Sequence, residues 1–126
     1  MARDYDDIPG TYVFDGRRSR QGYRLNMFCM SLNDAANRAR FAADESAYID
    51  DFGVTVEQKQ AVIDRDYLRL LHLGGNMYYT FKIAIHDKKS MQFVGGQMSG
   101  ISEDEFRQMM LDGGRPIDGN RRVGER

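Results

Sequence analysis

Residues 55–75, TVEQKQAVIDRDYLRLLHLGG, carry the pattern that decides the fold class. Thr55 followed three residues on by Gln58 is a capping box. The hydroxyl accepts the Gln58 backbone N–H and the amide side chain reaches back to the Thr55 N–H, so a helix opens before Val56, Ala61, Val62 and Ile63. The continuation stays open. Either Asp64 or Asp66 caps a fresh helix through Tyr67, Leu68, Leu70 and Leu71, or the first helix runs on to Gly74-Gly75, where glycine ends it.

Downstream, Asn76 is the next N-cap candidate, and Met77, Phe81 and Ile85 form an i, i+4 stripe behind it. The β-branched and aromatic residues of that segment also permit a strand. Asp87 to Gly100, with Gly95-Gly96 and Gly100 around Gln92, Phe93 and Met98, predicts a loop. Ser102 with Glu105 is a second capping box, opening a helix with Phe106, Met109 and Met110 that ends at Gly113-Gly114.

Upstream, Tyr23, Met27 and Met30 with Phe28 recur at helical spacing, predicting one long helix from Ser19 to Ser31 with that stripe on a core. Residues 33–42 are alanine-rich and helical by propensity, with Leu32, Ala36, Ala39 and Phe41 expected inward. Glu45 to Asp51 forms a short segment presenting Tyr48 and Phe52 before Gly53 stops it. The fold class is therefore all-α, about six or seven short helices with Gly-rich connections and extended termini. The organisation is an N-terminal arm over 1–16, a helical domain over 17–114 and a polar tail over 115–126.

A chain of 126 residues fits one domain and can bury about 65% of its unfolded surface. The formal charge of −1 gives no bulk attraction to nucleic acid. Its distribution is uneven. Arg17, Arg18, Arg20, Arg24, Arg38 and Arg40 face the single Asp34 within residues 17–40, whereas Asp44, Glu45, Asp50, Asp51 and Glu57 lie in 41–57 without a base. The two stretches either pair within the chain or present a complementary face to a partner. Cys29 is the lone cysteine, which precludes an internal disulfide and suits a reducing cytoplasm. No stretch approaches the roughly 20 apolar residues needed to cross a bilayer, so neither membrane nor nucleic acid is expected as a partner.

Chemistry is scarce. The two histidines, His72 and His86, have no ligand at i+4, and even together they need a carboxylate such as Asp87 to approach a metal site. Cys29 sits in a hydrophobic helix with Met27, Phe28 and Met30, the setting of an inert buried thiol. Gly95-Gly96-Gln97-Met98-Ser99-Gly100 lacks the lysine of a phosphate-binding loop, so its glycines read as turns. A body without its own catalytic equipment points to a subunit or to a helical interaction adaptor.

Asp6-Asp7-Ile8-Pro9-Gly10-Thr11, Gly22-Tyr23-Arg24-Leu25-Asn26, Met30-Ser31-Leu32, Asp44-Glu45-Ser46-Ala47-Tyr48 and Gly74-Gly75-Asn76 closely resemble the alpha subunits of protocatechuate 4,5-dioxygenases. The likeness continues through Ser90, Gln92-Phe93, Gly96, Met98, Gly100, Met109-Met110 and Asp112-Gly113-Gly114-Arg115. It implies a small helical subunit of an α2β2 complex, in which beta binds non-haem Fe(II) through two histidines and a carboxylate. There, dioxygen cleaves the ring of protocatechuate or a related carboxylated catechol by extradiol opening. Alpha would close and shape the pocket, with no catalytic residue and no metal ligand of its own.

By the same resemblance, Lys88, Lys89, Ser90, Met91 and Gln92 reach the substrate pocket, and Asp6, Asp7, Ile8, Pro9 and Gly10 touch beta. The family pattern after the aspartate commonly reads Gly-Lys-Ser-Phe, whereas this chain has Lys88 for the glycine and Met91 for the aromatic. A flexible methionine removes an aromatic wall, which leaves gallate open beside protocatechuate. The bland alternatives are a core contact for Met91, a solvated loop edge for the two lysines and loop hydrogen bonding for Ser90 and Gln92. Tyr23, Phe28 and Tyr48 are expected in the core.

Overall fold

The computed structural model describes residues 13–114, and every regular element among them is helical. The order is α1 (Gly16–Gln21), α2 (Tyr23–Ser31), α3 (Ala35–Ala43), α4 (Glu45–Asp50), α5 (Val56–Ile63), α6 (Tyr67–His72), α7 (Met77–His86), α8 (Met91–Ser99) and α9 (Glu103–Leu111). The expected Asp6–Gly10 contact and the 115–126 tail lie outside the described residues. The strand alternative for Met77 to Ile85 is overturned, because Asn76 caps α7 through its side chain.

Nine helices among the described residues, rather than six or seven, arise from two departures. The single helix expected over Ser19–Ser31 breaks at Gly22, whose backbone runs against Gly74; a Cβ there would overlap the Gly74 carbonyl. Asn26 fixes this crossing, donating from Nδ2 to the Gly74 carbonyl at 3.1 Å and accepting the Asn76 N–H at 2.9 Å. The second departure is α8, which occupies the expected 87–100 loop. Gly95 and Gly96 lie inside it because neighbours leave no room for side chains: the Phe106 ring of α9 covers Gly95, and the Ile101 and Ser102 carbonyls close on Gly96.

Both capping boxes form. Gln58 extends the first, donating from Nε2 to the carbonyls of Gln21 at 3.2 Å and Leu73 at 3.0 Å, so one buried amide joins α1, α5 and α6. The core gathers Leu25, Phe28, Cys29 and Leu32 with Phe41, Tyr48, Ile49, Val62, Tyr67, Leu70, Ile83 and Val94. Phe28 is its aromatic centre, edge-on to Phe41 at 5.3 Å and to Phe52 at 5.7 Å.

Of the stripe expected inward on α2, Phe28 is fully buried as expected, but Tyr23, Met27 and Met30 are 63%, 46% and 38% exposed, and Leu25 and Cys29 are buried in their place. Both sets have helical spacing, and the Asn26 crossing onto Gly74 decides which faces inward. Ala36 and Ala39 of α3 are likewise exposed, with Phe41 carrying that helix's buried contact. Of the charged stretches, Arg40 and Asp51 pair across at 3.5 Å. Arg38 instead donates to the Leu32 and Asn33 carbonyls, and Arg18 to that of His72.

Candidate functional site

The five pocket candidates occupy the turn from α7 into α8 and the first turn of α8. Asp87 is the C-cap of α7, and the next two backbone N–H groups fold back onto it: Lys88 donates to the Ile85 carbonyl at 3.0 Å and Lys89 to that of Ala84 at 2.9 Å. This paired bonding is a Schellman stop, which requires a left-handed residue at its second position, and Lys88 supplies it at φ +61°. Glycine is the residue that adopts this conformation without steric cost, so Lys88 carries strain here that a glycine would not.

Ser90 then starts α8. Its hydroxyl oxygen accepts the Phe93 N–H at 3.0 Å and its O–H donates to Glu103 Oε2 at 2.5 Å, tying the turn to α9. That hydrogen bond lowers the Glu103 carboxyl below its ordinary value, with Arg107 and Lys89 acting in the same direction. The Lys89 ammonium lies 4.9 Å from the Phe93 ring centroid. Lys88 is exposed, Met91 is 45% exposed and Gln92 is half-buried. The Lys89 ammonium thus lies over the first turn of α8, where the capping Ser90 also holds the Glu103 carboxylate, and the part-exposed Met91 offers an apolar contact beside it.

Behind the turn lies a residue that sequence reasoning did not single out. Arg65, in the turn between α5 and α6, donates to Asp87 through Nε at 2.6 Å and Nη2 at 3.2 Å. It also donates to Glu45 through Nη1 at 3.1 Å and Nη2 at 2.6 Å, and to the Val62 carbonyl through Nη1 at 2.8 Å. The guanidinium has five N–H donors, and these contacts use all of them. Its carbon lies 5.4 Å from the Phe41 ring centroid. Burial works against its charge, but the hydrogen bonds and fields of Asp87 and Glu45 outweigh that and hold the proton more firmly than on an ordinary arginine. No local signal marks Arg65, because its partners lie 20 and 22 residues away.

The metal-site alternative built on the histidines and Asp87 does not fit this geometry. The Asp87 carboxylate is committed to Arg65, and the His86 ring packs against Phe41 at 5.0 Å. Among the described residues no group of three or more His, Cys, Asp or Glu side chains is placed to hold a metal ion. A hollow of about 240 Å³ lined by Val13, Phe14, Leu71, Met77 and Tyr78 lies at the opposite end of α7 from these residues.

Residues 25–111 match the family described as the aromatic-ring-opening dioxygenase LigAB, LigA subunit. The chain belongs to this family. The match covers α8 and α9, so the turn over residues 87–92 is part of the LigA domain rather than an addition to it. Gallate dioxygenase of Pseudomonas putida is 28% identical over 101 residues, covering 80% of this chain and 30% of that relative. The chain thus spans about three-tenths of the length of that curated relative. Among the described residues of this LigA-family chain, no helix is long and apolar enough to cross a membrane.

Proposed function

We propose that this LigA-family chain is the non-catalytic subunit of an extradiol dioxygenase, closing and shaping an active site whose non-haem Fe(II) is held by a beta subunit. The family match over residues 25–111 carries this reading. The 87–92 turn supplies its chemistry. Lys88 and Lys89 attract the carboxylate of the ring acid, Met91 contacts the ring's edge, and Ser90 holds the N-terminus of α8 in place. Iron and dioxygen supply the oxidation when bound in the partner; the part of this chain is to bind, orient and exclude water. An α2β2 assembly in the cytoplasm completes the proposal.

Protocatechuate is the first substrate choice. Gallate is the second, favoured by the gallate dioxygenase likeness and by Met91, which widens the wall where an aromatic would stand. Co-expression with the cognate beta chain, followed by oxygen uptake on both acids, tests the reading. A stoichiometric complex that opens either ring supports it, whereas two chains that never associate leave the helical adaptor as the better account. Within the active complex, Met91→Phe should shift the relative kcat/KM for protocatechuate and gallate by about 10-fold, the scale of one apolar wall contact. Equal relative specificity at matched iron content would remove Met91 from the pocket.

A further inference from the structure

The two left-handed non-glycine residues among the described residues are Arg65 at φ +54° and Lys88 at φ +61°, and they occupy equivalent places in two helix stops. At the end of α5, the Arg65 N–H donates to the Val62 carbonyl and the Asp66 N–H to that of Ala61. At the end of α7, Lys88 and Lys89 repeat that pattern onto Ile85 and Ala84. The stops are joined directly, since the Arg65 side chain grips Asp87, the C-cap residue immediately before Lys88. A left-handed arginine carries steric strain that glycine would avoid. The strained backbone aims the guanidinium between Asp87 and Glu45, and the Arg65 carbonyl is held in turn by Gln97 Nε2 of α8.

From this geometry we infer that Arg65 is a positioning residue for substrate recognition. By clamping Asp87 it fixes the direction of the Lys88–Met91 turn, and it neutralises the carboxylates of Asp87, which immediately precedes Lys88, and of Glu45. The inference rests on the reading that this turn faces substrate. Two effects are specific to an anionic substrate. Without the clamp, Asp87 and Glu45 confront the arriving carboxylate with unpaired negative charge, and the ammonium groups lose their fixed placement relative to the N-terminus of α8. An uncharged catechol senses neither effect strongly.

The test uses the complex of this chain with its catalytic partner and compares a catechol carboxylate with an uncharged alkylcatechol. Arg65→Gln is expected to raise KM for the carboxylate about tenfold, a misplacement effect, while KM for the uncharged ring stays within about twofold. Arg65→Lys, which keeps the charge but not the fork, should recover part of the difference. Asp87→Asn keeps the side-chain shape, removes one charge of the clamp and gives a second measurement if Arg65→Gln fails to fold. Its expected signature is a smaller rise in carboxylate KM, through lost placement. Equal changes in KM for the charged and uncharged rings, or a loss confined to stability and assembly, would overturn the inference. A wild-type complex that opens neither ring would overturn the functional reading itself, a result separable from any behaviour of the variants.

Discussion

Lys88 sits at φ +61°, where an L side chain crowds its own carbonyl and glycine does not. Lys88→Gly should therefore raise stability by about 0.5–1 kcal/mol, the relief of left-handed strain less the extra freedom glycine gives the unfolded chain. Thermal unfolding of the chain measures it, and a lower midpoint would show that Lys88 carries no net strain. The same substitution should weaken binding of a carboxylated catechol in the complex, so stability and recognition move in opposite directions. Ser90 gives a pH-dependent counterpart. Ser90→Ala removes the cap of α8, a loss of about 1 kcal/mol at any pH, and also the hydrogen bond that lowers the Glu103 carboxyl. A depressed carboxyl contributes stability above its unfolded value and loses it as pH falls through the folded one. The deficit of Ser90→Ala against wild type should hence narrow in urea titrations taken into acid below the ordinary glutamate range; a constant deficit would leave only the cap. The candidate turn was legible because Lys88, Ser90 and Met91 lie together in the chain and resemble a known pattern. Arg65 was not, since its meaning comes from Asp87 and Glu45, which only the folded chain brings to it.

At the scale of elements, side chains that bond within four residues of themselves were readable in advance. Thr55 with Gln58, Asn76, and Ser102 with Glu105 mark the starts of α5, α7 and α9 as expected, each through a bond formed inside its own first turn. Glycine was ambiguous for the opposite reason. Gly74 and Gly113, both left-handed, end helices, whereas Gly95 and Gly96 lie inside α8, and the difference is made by Phe106, Ile101 and Ser102 arriving from a later segment. On α2, Phe28 is buried as expected, but Tyr23, Met27 and Met30 turn outward on similar grounds, because either side of the helix could face the core until Asn26 meets Gly74. The Gly95 contact has a measurable consequence. A methyl group there would overlap the Phe106 ring, so Gly95→Ala should cost about 1–3 kcal/mol as α9 is pushed from α8, despite alanine's better helix propensity. Pairing it with Phe106→Leu should recover part of the loss in chemical denaturation. A Gly95→Ala chain more stable than wild type would mean that propensity outweighs the contact.

Across the whole molecule, packing is uneven in a way that bears on partnership. The core draws on α2 through α8, while α1 and α9 contribute no buried residue, and Tyr23, Met27, Met30, Met110 and Leu111 remain exposed. Cys29, the chain's lone cysteine, is fully buried, and burial pushes its thiol well above the ordinary range, leaving it in the inert protonated form. Asp87 is committed to Arg65, and His86 packs on Phe41. On the proposed reading, the reacting centre for ring opening belongs to the partner chain, with this LigA-family subunit acting on access and orientation. The chain purified alone is accordingly expected to retain no stoichiometric iron and to consume no oxygen with a catechol acid, while the reconstituted complex does both. Metal analysis and oxygen uptake on the isolated chain, the isolated partner and the complex separate the contributions. Turnover by the partner alone at the rate of the complex would deny this chain a role in the pocket. Iron-dependent turnover by the rigorously purified chain alone would place the metal here and overturn the division of labour. Activity that appears on mixing and rises to a limit at equal subunit numbers is the expected result, because each catalytic site then gains one closing wall.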